Sequence, residues 1–136
     1  LLADVDRTDP AALADLQLFL AQSELAYSPG TSPVELVRLD EEFHRRIAQL
    51  ANNAELLRLL DNAAARIRYV RVIDLQSLSE INGAAAITTQ PHVRILAAIA
   101  ARNEDWAGAE MRAHISRRLE EVTHNVRMAF SQIYAP

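Results

Sequence analysis

The chain has 136 residues, 50% of them hydrophobic and 24% charged, with a formal charge of −4 and no cysteine. That length fits a single domain, residues 1–136, able to bury about 68% of the surface its unfolded chain exposes. The charge balance gives no pull on nucleic acid or anionic lipid, and without cysteine there are no disulfides, thiolate nucleophiles or thiolate metal sites, which suits a reducing cytoplasm.

Alanine and leucine dominate, and 3 Gly with 5 Pro leave a strong helix-forming bias. Asp9-Pro10 is an N-cap followed by proline at the first helical position, which predicts a helix to about Ala26. Tyr27-Ser28-Pro29-Gly30-Thr31 is a turn cluster. Ser32-Pro33 repeats the cap signal and opens a second helix to about Ala51. Asn52-Asn53 closes that helix and caps a third, Ala54 to about Ser77. Leu78 to Thr89 reads as a looser stretch with a turn at Asn82-Gly83. Thr88 or Thr89 caps a fourth helix, Gln90 to Arg102, with Pro91 tolerated in its first turn. Asn103 caps a fifth, ending near Ile133. No segment alternates as a strand does, and none approaches the roughly 18 apolar residues that span a bilayer. The expected fold is an all-α antiparallel bundle.

Four histidines can be placed on these helices at 100° per residue. His92 lies between Ile95, Leu96 and Ile99 at the centre of the fourth helix's apolar stripe. Asp40 and His44, four apart, share a face of the second helix with Val37, Ile47 and Ala51. His114 falls within about 80° of the centre of the fifth helix's stripe, Ala107, Met111, Ile115, Val122, Val126 and Ala129, whereas His124 points roughly 160° away, into solvent. Three histidines and one carboxylate thus face the interior from three helices. An ionised carboxylate on an apolar face is costly unless it is paired or bound to a cation. A divalent ion would take one lone pair from each group, and such an N3O set suits Zn²⁺ first, with Ni²⁺, Mn²⁺ or Fe²⁺ as alternatives. Hydrogen-bonded core histidines beside an ordinary Asp40–His44 pair remain the other reading.

Asp40-Glu41-Glu42-Phe43-His44, Ala51-Asn52-Asn53, His92 with Ile95-Leu96-Ala97-Ala98-Ile99, and Ala109 through His114-Ile115 together resemble the FCD effector-binding domain. That domain is the C-terminal half of FadR-subfamily regulators within the GntR transcription factors. The resemblance runs from about Arg7 onward. It implies a helical bundle in which Asp40, His44, His92 and His114 hold a metal, a small organic acid binds at or near that metal, and the domain pairs into a homodimer. Against the family pattern the first helix looks truncated at Leu1–Thr8. The winged helix-turn-helix is absent, so specific DNA binding is expected only through that missing part. A chain that opens on Leu1 rather than Met fits the same expectation.

A metal with an open coordination position accepts an effector carboxylate in a sensor or activates water in an enzyme. For a sensor, a second anchor is expected from an Arg on the third helix, whose stripe is Leu56, Leu59, Leu60, Ala63, Ile67 and Val70. Arg66 lies about 60° from the centre of that stripe and Arg71 about 80°, while Arg68 points outward. Arg66 is the first candidate and Arg71 the second; either could instead run along the bundle edge to a surface Glu. Glu41–Arg45, Glu42–Arg46 and Arg117–Glu121 read as surface pairs, Trp106 as a packing residue, and Phe43 as core or pocket wall. The alternative is a helical metal-dependent enzyme, for which Asp74 is the one remaining general-base candidate; that shortage argues against catalysis, and no catalytic residue is assigned. Coordination requires neutral imidazole, so metal affinity is expected to fall as pH drops through about 6.5.

Overall fold

The computed structural model describes residues 9–28, 30–82 and 88–134. Among them are five helices and no strand: α1 (Pro10–Ala26), α2 (Pro33–Leu50), α3 (Ala54–Asn82), α4 (Gln90–Ala100) and α5 (Glu104–Tyr134). No helix is long and apolar enough to cross a membrane. The Leu1–Thr8 portion, where a truncated helix was expected, and Gly83 of the expected Asn82-Gly83 turn lie outside the described residues.

Side-chain caps set most of the helix starts. The backbone N–H of Ala11 donates to Asp9 Oδ1 and that of Glu35 to Ser32 Oγ. The N–H groups of Leu56 and Trp106 donate in the same way to Asn53 and Asn103. Each cap satisfies one of the orphan donors of a first turn and contributes about 1 kcal/mol. The fourth helix starts differently: Thr89 makes no capping bond, and Thr88 Oγ1 accepts from the N–H of Gln90 instead. Asn52, at φ +47°, ends α2 in the left-handed conformation that Asn tolerates.

Two boundaries differ from the sequence reading. α3 runs to Asn82 rather than about Ser77, because Leu78, Glu80 and Ile81 are compatible with helix and no breaker precedes Gly83. α4 stops at Ala100 rather than Arg102, whose φ of +54° turns the chain into α5.

The helices close into a ring. α1 packs on α2, α2 on α3, α3 on α5, α5 on α4, and α4 back on α1. One half of the interior is apolar, built from Leu16, Leu20, Phe43, Ile47, Ile95, Leu96, Ile99 and Ala107. Each large aliphatic or aromatic side chain fully withdrawn there contributes about 1.5–3 kcal/mol. A smaller cluster of Leu36, Val37 and Leu75, with Tyr27 and Val72 against it, lies beside α3. Between the two clusters the interior is polar.

The third helix departs from expectation in its facing. Its apolar stripe was read as inward, yet three of its members, Leu59, Ile67 and Val70, are between 37% and 52% exposed. α3 is buried instead further along, at Asp74 and Leu75. The ion pairs follow suit: Glu41 pairs with Arg68 and Arg45 with Asp61 across the α2–α3 seam, rather than with each other. Glu42–Arg46 forms as expected, with Arg46 also reaching Asp15. Glu121, the partner expected for Arg117, has a side chain outside the described residues.

Candidate metal centre

Asp40 and His44 stand one turn apart on α2, His92 enters from the first turn of α4, and His114 comes from the first half of α5. One ligating atom from each lies within 4.8 Å of the others. His44 Nε2 and His114 Nε2 are 3.2 Å apart, His92 Nε2 is 3.2 Å from Asp40 Oδ1, and His44 Nε2 is 3.7 Å from Asp40 Oδ2. Four ligands at 2.0–2.1 Å around one tetrahedral ion stand about 3.3 Å from each other, which the closest of these spacings match, while the set as a whole, within 4.8 Å, would have to tighten around an ion. His92 Nε2 is buried and has no hydrogen-bond partner, since its short approach to Asp40 is not aligned for donation. A cation would satisfy that nitrogen, with the facing His44 and His114 nitrogens as co-ligands. The donor set therefore fits a divalent metal. Phe43, 1% exposed, stacks on the His92 ring at 4.2 Å and 24°, which fixes the imidazole plane.

Residues 4–117 match the family model of the FCD domain. The chain belongs to the FCD family. It is 33% identical over 94% of its length to the Nta operon transcriptional regulator of Aminobacter aminovorans, of which the match covers 57%. It is 25% identical over 88% of its length to an uncharacterised HTH-type transcriptional regulator, YdhC, of Bacillus subtilis (strain 168), covering 52% of that protein. The chain thus spans about half the length of these curated relatives, and both are named as regulators rather than enzymes. No solved structure matches it.

In this FCD domain the fourth side of the cluster is closed by Arg71, whose Nη2 donates to Asp40 Oδ2 at 2.7 Å. Arg71 and Asp40 have side chains only 15% and 12% exposed. Arg66, the first-choice anchor, is exposed on the outer side of α3 and is not brought to the cluster. The reason is a rotation of the buried face of α3 away from the stripe centre, towards the side that carries Arg71 and Leu75 and away from Arg66. His124 is exposed, as expected. Trp106 is not a core residue but 41% exposed, its indole N–H donating to Glu110.

Sequence reasoning missed a second polar layer beside the cluster. Asp74 is 2% exposed and accepts from Arg118 Nη2 at 2.9 Å, so it is engaged in an ion pair rather than available as a base. Tyr27 closes the same side; burial, and then the Asp40 charge, raise its phenol above its ordinary range. Spacing carried the signal for both members of the pair: Asp74 is three residues from Arg71 and Arg118 four from His114, one turn along the same faces.

Burial alone would raise the Asp40 carboxyl, but the close approach of the His92 ring and the positive charge of Arg71 outweigh it and hold the group ionised. The histidines move the other way. Burial pushes His44 down to about 4 and His114 to about 3, with neighbouring cationic groups adding to the effect and Asp40 opposing it. Both rings are therefore neutral at pH 7 without a metal, ready to coordinate.

The pH window for metal binding consequently lies lower than the free-histidine range. In the unfolded chain these rings protonate near 6.5, and in the folded one only near 4 and 3. Below 6.5 the unfolded state takes up more protons, so the stability of metal-free protein falls as pH drops from about 6.5 towards 4. Zinc affinity of the folded protein is expected to hold down to about pH 5, and binding at pH 7 to release less than about one proton from these ligands. Calorimetry in buffers of different ionisation enthalpy reads that proton count; release of two or more would show the imidazoles to be protonated beforehand.

Proposed function

We propose that this FCD domain is the effector-sensing part of a transcriptional regulator of the GntR class, FadR subfamily. Asp40, His44, His92 and His114 hold a divalent metal, Zn²⁺ before Ni²⁺, Mn²⁺ or Fe²⁺, and a small organic acid binds at its open position. The observation carrying this reading is the convergence of three imidazole nitrogens and one carboxylate, with one of those nitrogens lacking a protein hydrogen-bond partner. When bound, the metal supplies a Lewis-acidic position for the acid's carboxylate. The protein's own residues do the rest. Arg71, already against Asp40, offers a planar fork to a second acidic or hydroxyl group of the effector. Phe43 keeps the His92 ring in plane, and the apolar wall of Ile95 and Ile99 excludes water from one side.

Catalysis is disfavoured by the placement of acids: Asp40 belongs to the donor set and Asp74 is paired with Arg118. The regulator works as a homodimer that contacts DNA through a winged helix-turn-helix in another part of the protein, in the cytoplasm. Signalling needs an effector that prefers one arrangement of the ring over another. With four helices contributing Asp40, Arg71, His92 and His114, the acid draws α2, α3, α4 and α5 against one another.

The test is a calorimetric titration of succinate and citrate into zinc-loaded and chelator-stripped protein, followed by operator binding with and without the tighter acid. Metal-dependent acid binding with a 5–150-fold change in operator affinity is the expected result, the range of ordinary allosteric coupling. Acid binding indifferent to the metal, with unchanged DNA affinity, overturns the proposal.

A further inference from the structure

The polar part of the interior carries formal charges that can be counted. Asp40 and Asp74 are the buried carboxylates among the described residues. Each is matched by one arginine: Arg71 Nη2 lies 2.7 Å from Asp40 Oδ2, and Arg118 Nη2 lies 2.9 Å from Asp74 Oδ2. The two pairs adjoin, since Asp74 stands one turn beyond Arg71 on α3 and Arg118 one turn beyond His114 on α5. Asp40, Arg71 and Arg118 all act electrostatically on Tyr27, while Arg71 acts on His44 and Arg118 on His114. These groups therefore share one region. Glu41, next to Asp40 in the chain, is matched outside it by Arg68.

We propose that the effector of this site is a dianion, a dicarboxylate, bound in preference to any monocarboxylate. The proposal deepens the sensor reading and rests on its metal and its acid. Imidazoles are neutral when they coordinate, so the protein's own charges are two carboxylates and two guanidiniums, which sum to zero. A divalent ion then leaves two positive charges in a region withdrawn from water, where unmatched charge is costly. Asp40 would ordinarily cancel one of them, but its charge is already matched by Arg71. A monocarboxylate at the open position of the metal cancels one charge; a dicarboxylate cancels both. Its second carboxylate also has a place to go. The Arg118 side chain is 26% exposed and that of Asp74 only 2%, which makes the guanidinium the accessible end of that pair. A guanidinium receives a carboxylate as a planar fork.

Calorimetric titration of zinc-loaded protein with matched acids tests this, at about pH 7.5, where every free carboxyl group is ionised. Malonate, succinate and glutarate are each compared with their half-amides, malonamate, succinamate and glutaramate, which keep the length and lose one charge. At least one dicarboxylate is expected to bind roughly tenfold or more tighter than its half-amide. Chelator-stripped protein, with its charges summing to zero, should lose most of that discrimination. Asp74→Asn removes one negative charge while Arg118 keeps its own, so the ratio should widen in zinc-loaded variant. The wild-type comparison decides the matter even where that variant fails to fold.

Half-amides that bind zinc-loaded wild type as tightly as their dicarboxylates overturn the proposal; if their binding still requires zinc, the sensor reading stands. An unchanged ratio in folded Asp74→Asn also overturns it, because discrimination would then follow shape and not charge. Failure of all six acids to bind removes it as well. Binding of either kind that ignores zinc overturns the sensor reading itself.

Discussion

Replacing His92 with Ala is expected to weaken zinc binding by more than the 10–100-fold typical of losing an outer-shell partner, because it removes one of four donors. His92 is the member that the protein alone leaves unsatisfied, so its nitrogen has the most to gain from a cation. Metal raises the stability of the folded state by mass action, about 2.7 kcal/mol at a hundredfold excess over Kd. The zinc-dependent rise in melting temperature should therefore vanish in His92→Ala and persist in His124→Ala, whose ring is exposed. Part of the loss in His92→Ala comes from the packing vacated beside Phe43, and melting the stripped proteins isolates that part. Equal zinc content in both variants would remove His92 from the donor set.

Arg71→Met is expected to destabilise stripped protein by about 3 kcal/mol and zinc-loaded protein by much less. Removing one partner of a buried ion pair leaves the other charge uncompensated, a change that costs about 3–5 kcal/mol. Asp40 keeps His92 and His44 nearby, which places the loss at the lower end. In the loaded protein the metal supplies the positive charge that the guanidinium provided, so the two states should diverge in urea unfolding. Succinate affinity should fall in the same variant even with zinc bound, since a thioether offers no fork to a carboxylate. Stripped Arg71→Met as stable as stripped wild type would mean that Asp40 does not depend on Arg71.

The bundle was legible because its punctuation is local. Asp9, Ser32, Asn53 and Asn103 act through their own helix, and each starts one as its sequence predicts. The Asp40, His44, His92 and His114 cluster was legible because angular position on α2, α4 and α5 matched the side those helices bury. α3 broke that logic. An apolar stripe identifies a face that avoids water without stating what covers it, and on α3 the stripe's Leu59, Ile67 and Val70 are left exposed. Reading it as inward promoted Arg66 and demoted Arg71. The pairing of Asp74 with Arg118 was harder to see: spacing sets each one turn from a cluster residue, but that the two meet follows only once α3 and α5 are known to be neighbours. Glu41 and Arg45 erred in the opposite direction, since i, i+4 spacing made a pair plausible while α3 offered each a better partner.

The donor set is spread widely along the chain: His44 and His114 touch across 70 residues. During synthesis the ribosome releases Asp40 and His44 long before α5 exists, and an i, i+4 pair alone is a poor trap for zinc. Uptake of an ion by all four groups would then follow the synthesis and docking of α5. In a loaded domain the same long closure would slow a chelator, which could strip the site fully only as α4 or α5 moved away from α2.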